Sequence, residues 1–333
     1  MLLLPAGLFI AGMVLLIKGA DWLVDGASDI ARTLGISDLV IGLTIVSFGT
    51  STPELLVNII ASLQGNADIA IGNILGSNIA NILLILGISA TITPIAVQRS
   101  TIIKEIPFSL LAAFAMFVMA NDTLIDGYTG SELGRGDGIL FIGFFIIFLY
   151  YIFGMQKRAD SYEEHSKTSM PVCKSLSFIA IGLAAIVTGG KLAVDGAIEI
   201  AITLGISQAL IALTIVAVGT SLPELATSTV AAYKGKADIA VGNIVGSNIF
   251  NIFWILGISA LIKPLPFTLA NNPDLFMVVF STILLFFIIH NGQFHRRLLL
   301  WWKQEKDYRI NRWEGGILLA TYFVYLVYIG WRV

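Results

Sequence analysis

Residues 19–95 align without a gap on residues 189–265, with about 46 identities in 77 columns. A segment duplicated this closely folds the same way twice, so the whole chain has to accommodate two copies of one unit. GTSTPEL at Gly49–Leu55 recurs as GTSLPEL at Gly219–Leu225, and GNILGSNIANI at Gly72–Ile82 recurs as GNIVGSNIFNI at Gly242–Ile252.

The environment of the two units follows from composition. Of 333 residues, 56% are hydrophobic and 13% charged, with a mean hydropathy of +0.86, whereas soluble domains carry about 45–50% apolar and about 25% charged residues. This excludes a water-soluble globule and makes the lipid bilayer the first partner. A formal net charge of -2 leaves no basic excess to neutralise a phosphate backbone, so nucleic acid is not an expected partner. The single Cys173 forms no intrachain disulfide, and with three scattered histidines it makes no zinc or haem constellation, so no cofactor is expected.

At roughly 20 apolar residues per span, the length accommodates about ten transmembrane helices. They are predicted near 2–24, 38–64, 69–92, 102–120, 137–155, 174–194, 208–234, 239–262, 274–291 and 314–331. The first lacks a basic leader and reads as a span rather than a cleaved signal peptide. Basic residues collect on alternate loops, among them Arg99, Lys157, Arg158, Lys234, Lys236, Arg296 and Arg297, which assigns those loops to the cytoplasm. With ten spans, both termini are then extracytoplasmic in the plasma (inner) membrane. The stretch 291–313, with His295, Arg296, Arg297, Trp301, Trp302 and Lys303, reads as an interfacial amphipathic helix.

Five spans separate equivalent points of the repeat, and an odd number inverts the second copy in the membrane. The expected fold is an all-α integral membrane protein of ten transmembrane helices in two inverted five-helix repeats, an architecture of alternating-access transporters. The first repeat is 1–155, with its duplicated core at 38–92. A short cytoplasmic linker, 156–173, leads to the second repeat, 174–333, with its core at 208–262.

Glu54 and Glu224 lie inside apolar spans, where an unpaired carboxylate costs a few kcal/mol. Ser47, Thr50, Ser51 and Glu54 fall on one helix face, and Thr220, Ser221 and Glu224 repeat it with Ala217 in place of Ser47. Asn73, Ser77 and Asn81 form a second polar stripe, matched by Asn243, Ser247 and Asn251. Pro53 and Pro223 are expected to break their helices, and Gly76 and Gly246 to loosen theirs or admit a close neighbour. Carboxylate, hydroxyl, amide and backbone oxygen without thiolate or imidazole suit hard cations such as Ca²⁺ and Na⁺. Asn73, Asn78, Asn243 and Asn248 also read as interhelical hydrogen-bonding groups. Asp68 and Asp238 are expected to cap helices, and Asp25 and Asp195 to cap or to line a vestibule. Lys18 and Lys191 are placed near span ends, leaving the glutamates without a basic partner.

With GTS[TL]PE followed by GNxxGSNxxN, twice and inverted, the chain resembles the cation/calcium exchanger superfamily and, within it, the prokaryotic type of sodium/calcium exchanger. The resemblance covers both halves. It implies no enzyme but an antiporter that exchanges Na⁺ for Ca²⁺, with the second, third, seventh and eighth helices holding the ions and the first and sixth sliding across them. By motif it implies as ligands Ser47, Thr50, Ser51, Glu54, Ser77 and Asn81, then Ala217 through its carbonyl, Thr220, Ser221, Glu224, Ser247 and Asn251. Some relatives carry Asp where Asn251 stands, which weakens a potassium-dependent reading. Gly-Thr-Ser before the acid favours sodium over the alternative, a proton/calcium antiporter in which the glutamates titrate. The short linker lacks the large calcium-sensing insert of animal exchangers. Oligomeric state is left open, a monomer being compatible.

Overall fold

The computed structural model describes residues 2–127, 129–156, 170–205, 217–299 and 308–332. It is helical: α1 (Leu3–Leu34), α2 (Asp38–Thr50), α3 (Thr52–Gln64), α4 (Ala67–Ile92), α5 (Thr101–Met119), α6 (Arg135–Gln156), α7 (Val172–Thr203), α8 (Leu222–Tyr233), α9 (Ala237–Ile262), α10 (Asn272–Leu299) and α11 (Arg312–Arg332). Among the described residues, eight helices are long and apolar enough to cross a membrane, nine when the bent pair α2–α3 counts as one span. The expected span 208–234 lies partly outside the described residues, which take it up at the helical turn Ala217–Gly219 and continue it as α8.

The first and sixth spans run well past their expected ends at 24 and 194, to Leu34 and Thr203. At about 1.5 Å per residue each exceeds the roughly 30 Å hydrocarbon core by half, which requires tilt or protrusion. Their packing explains the continuity. α1 and α7 lie antiparallel with glycines every seventh residue in contact: a methyl on Gly12, Gly19 or Gly26 would sit 2.7–2.8 Å from the carbonyl oxygen of Gly189, Gly182 or Ser175. Backbones this close gain dispersion contacts along the whole length, the way small residues drive association in lipid. Lys18 and Lys191 therefore sit within long helices rather than near span ends, and both are exposed.

Other boundary expectations also change. Asp25 neither caps nor stands free; it lies inside α1 and its Oδ1 is 2.6 Å from Lys234 Nζ, which also reaches Asp21 Oδ1 at 2.6 Å. Asp68 and Asp238 are not caps, because the cap positions fall to Asn66 and Lys236; Asp238 instead accepts a 2.6 Å hydrogen bond from Gln98 Nε2. The linker is shorter than expected, since α7 already includes Val172 and Cys173, and residues 157–169 lie outside the described set. α10 continues as helix through His295, Arg296 and Arg297 to Leu299, while Trp301, Trp302 and Lys303 lie outside the described residues.

Two short antiparallel ladders join the halves. β1 (Ile95–Ala96) pairs with β4 (Arg309–Ile310), and β2 (Ser131–Leu133) pairs with β3 (Leu265–Phe267). β1 and β3 follow equivalent points of the repeat, so each duplicated core is clipped to a loop of the other half. Among the described residues the halves differ in packing: α1 packs along α8, whereas α7 barely touches the equivalent α3.

Candidate ion-binding site

The motif GTSxPE breaks its helix where proline demands it. Pro53 and Pro223 occupy the second position of α3 and α8, where a missing amide hydrogen costs nothing. The break falls just before, at Ser51 (φ -83°, ψ 8°) and Ser221 (φ -89°, ψ 3°), and bends α3 from α2 by 47°. Two features follow. α2 ends at the break, so the negative pole of its helix dipole lies there. Glu54 and Glu224 sit in the first turn of the new helices, where free amide hydrogens favour a carboxylate.

α4 and α9 cross beside these breaks. Each stays continuous but widens to a π-helical turn, Ala80–Ile85 and Phe250–Leu256, one residue before Asn81 and Asn251. The loosening expected at Gly76 and Gly246 thus falls four residues later. Gly246 serves close approach, as a methyl there would lie 2.8 Å from Ser47 Oγ and 3.0 Å from the Leu43 backbone.

The two halves share the site. Ser51 Oγ donates to Glu224 Oε1 at 3.0 Å and also lies 3.0 Å from Ser247 Oγ. In the matching contact of the other motif, Ser221 Oγ is 3.3 Å from Ser77 Oγ, which donates to Glu54 Oε1 at 3.4 Å. Ser247 Oγ donates to Glu224 Oε1 at 3.4 Å. Thr50 Oγ1 donates to Asn243 Oδ1 at 3.0 Å, and Thr220 Oγ1 to Asn73 Oδ1 at 3.4 Å. Asn81 Nδ2 donates to Asn248 Oδ1 at 2.9 Å, and Asn251 Nδ2 to Asn78 Oδ1 at 2.8 Å. Glu54 and Glu224 are each only 1% exposed.

Among the buried oxygens without a hydrogen-bond partner in the described residues, four belong to this cluster: Glu54 Oε2, Glu224 Oε2, Asn81 Oδ1 and Asn251 Oδ1. Buried acceptors are costly to leave unpaired, and they come in matched pairs from the two repeats. A hard cation satisfies such a set where a hydrogen-bond donor is missing. Of the residues expected here, Ser47 is buried, but its hydroxyl turns to Thr44 O at 3.2 Å rather than to the other side chains. Ala217 opens the helical turn before Ser221. The interhelical reading of Asn73, Asn78, Asn243 and Asn248 agrees with the structure. Sequence reasoning missed Asn58 and Ser228, which hold Asn73 and Asn243 through bonds of 2.7 and 2.9 Å. Each stands four residues after its glutamate, on the same helix face, and that spacing was the available signal.

Helices of this length and hydropathy, several per chain, define an integral membrane protein, and its buried oxygens are those of a cation handler. A family model described as sodium/calcium exchanger protein matches residues 4–154 and 174–331. The chain is 38% identical to the inner membrane protein YrbG of Escherichia coli, over 99% of this chain and 98% of that one. It is 36% identical to the sodium/calcium exchanger MaX1 of Methanosarcina acetivorans, over 96% and 97%. Its fold is similar to a solved structure of the sodium-calcium exchanger NCX_Mj soaked with Na⁺ and Ca²⁺, at a TM-score of 0.79 and 35% identity, covering 98% of this chain and 99% of the other. The chain belongs to the sodium/calcium exchanger family, a family of cation antiporters.

Proposed function

We propose that this chain exchanges Na⁺ for Ca²⁺ across the inner membrane by alternating access, with three Na⁺ per Ca²⁺. The observation that carries the reading is the set of four unpartnered buried oxygens, two of them from carboxylates, shared between the repeats. Ser47, Thr50, Ser51, Glu54, Ser77 and Asn81 join Ala217, Thr220, Ser221, Glu224, Ser247 and Asn251 as the ion ligands, Ala217 through its carbonyl. Two formal negative charges balance one Ca²⁺, and the neutral hydroxyl and carbonyl oxygens of both halves supply ligands for additional Na⁺.

Alternating access is supported by an asymmetry between the halves in the described residues. α1 seals against α8 while α7 stands off α3, so the two sides of the site are unequally closed. In an inverted repeat, exchanging the two arrangements opens the other side. Ten spans in two inverted repeats, with both termini extracytoplasmic, accommodate that exchange, and the loops carrying Lys234 and Lys236 then face the cytoplasm.

The test is uptake of radioactive calcium into proteoliposomes. An outward Na⁺ gradient is expected to drive uptake in the absence of a pH gradient. Uptake driven by a pH gradient alone contradicts sodium coupling.

A further inference from the structure

Asn78 and Asn248 meet between α4 and α9 in a reciprocal contact. Asn78 Nδ2 donates to the Asn248 carbonyl oxygen at 3.3 Å, and Asn248 Nδ2 donates to the Asn78 carbonyl oxygen at 3.4 Å. A backbone carbonyl only accepts, so these two bonds fix which end of each amide is nitrogen. The remaining end of each is an oxygen, and it faces Asn251 or Asn81. Asn251 Nδ2 donates to Asn78 Oδ1 at 2.8 Å, and Asn81 Nδ2 donates to Asn248 Oδ1 at 2.9 Å. With their nitrogens committed, Asn251 and Asn81 turn their Oδ1 atoms the other way, where both are buried without a partner.

We propose that Asn78 and Asn248 are positioning residues that set the polarity of the site, each forcing the asparagine of the opposite repeat to present oxygen, not N–H, to the transported cation. This rests on the reading of Asn81 and Asn251 as ion ligands. Interhelical adhesion alone needs only that each amide finds some partner. Here the order of donors and acceptors is set at the two backbone carbonyls and passed outward by one residue on each side. A reversed amide would aim two N–H dipoles at the cation and lose a ligand. All four asparagines are at most 1% exposed, where an amide end left without a partner is costly. The relay also crosses the repeats: Asn78 of the first acts on Asn251 of the second, and Asn248 on Asn81.

That crossing makes the proposal testable by calcium titration of the purified chain. Outer-shell partners of metal ligands typically carry about 10–100-fold in affinity, and Asn78→Ala is expected to weaken Ca²⁺ binding by at least tenfold on that scale. Residues acting through one another are non-additive. In an Asn251→Ala background, Asn78→Ala should therefore cost less than about twofold more, while with Asn81→Ala the two effects should multiply. A role in packing alone lowers stability while leaving the Ca²⁺ affinity of folded Asn78→Ala within about twofold of the unsubstituted chain, and that result overturns the proposal. If Asn78→Ala is not recovered folded, Asn78→Ser enters the same cycle, and the mirror cycle of Asn248 with Asn81 repeats the test independently. Asn81→Ala and Asn251→Ala with undiminished Ca²⁺ binding would instead remove the site itself, whereas weakened single variants without coupling remove only the positioning role.

Discussion

Glu54 and Glu224 are the charged members of the oxygen set, and each belongs to the first turn of a helix that proline restarts. Glu54→Gln or Glu224→Gln removes one of the two charges proposed to balance Ca²⁺, and calcium transport is expected to fall below detection while the protein still folds and reaches the membrane. Ser77→Ala and Ser247→Ala each delete one neutral oxygen, and are expected to weaken calcium affinity about tenfold, the equivalent of one modest polar contact. Radiotracer uptake with matched expression checks both, and near-normal uptake by either glutamine variant contradicts the site. The glutamates, serines and asparagines were legible in the sequence because a carboxylate in an apolar span demands a reason, and the repeat supplied each position twice. Asn58 and Ser228 were not read, since a single Asn or Ser in lipid is ordinary interhelical adhesion until its partner is known. The amide polarity at Asn81 and Asn251 was not legible either, because it is set by backbone carbonyls of another helix.

Among the elements, the break in α2–α3 was readable from Pro53, and the extra length of α1 and α7 was not. Hydropathy reports where a helix could leave the bilayer, whereas the glycine contacts that carry α1 past Gly26 exist only once α7 is alongside. The ion pairs at Lys234 belong to the same scale. This residue follows α8 and holds Asp21 and Asp25 of α1. The sequence counterpart of Lys234 in the other repeat is Gln64, and those of Asp21 and Asp25 are Lys191 and Asp195, so no equivalent ion-pair clamp can form between α7 and α3. Partial burial pulls the Lys234 ammonium down, but hydrogen bonds and charge from Asp21 and Asp25 outweigh it and raise its pKa above the ordinary lysine value. A raised folded pKa means the clamp is intact below the ordinary lysine range and is lost only as pH climbs through that higher value, so it persists across physiological pH. Lys234→Met is expected to free α1 from α8. With exposed Cys173 replaced by Ser, spin labels at Leu34 and Tyr233 should show a longer, broader distance distribution in the variant, and an unchanged distribution contradicts the clamp.

For the whole molecule, the duplicated segment and the composition together point to a membrane protein built of two related halves. The strand ladders and the α1–α7 contact show how those halves interlock. Two carboxylates neutralise one Ca²⁺ or two Na⁺ and a third Na⁺ depends on neutral oxygens, so the ion count is the direct test of the proposed exchange. Reversal potentials in proteoliposomes with clamped Na⁺ and Ca²⁺ gradients read it directly. Three Na⁺ per Ca²⁺ moves one net charge per cycle, so 100 mV is expected to shift the equilibrium by about 2.3 kcal/mol, roughly fifty-fold in the calcium ratio. A reversal that follows the pH gradient and ignores Na⁺ contradicts sodium/calcium exchange by this chain.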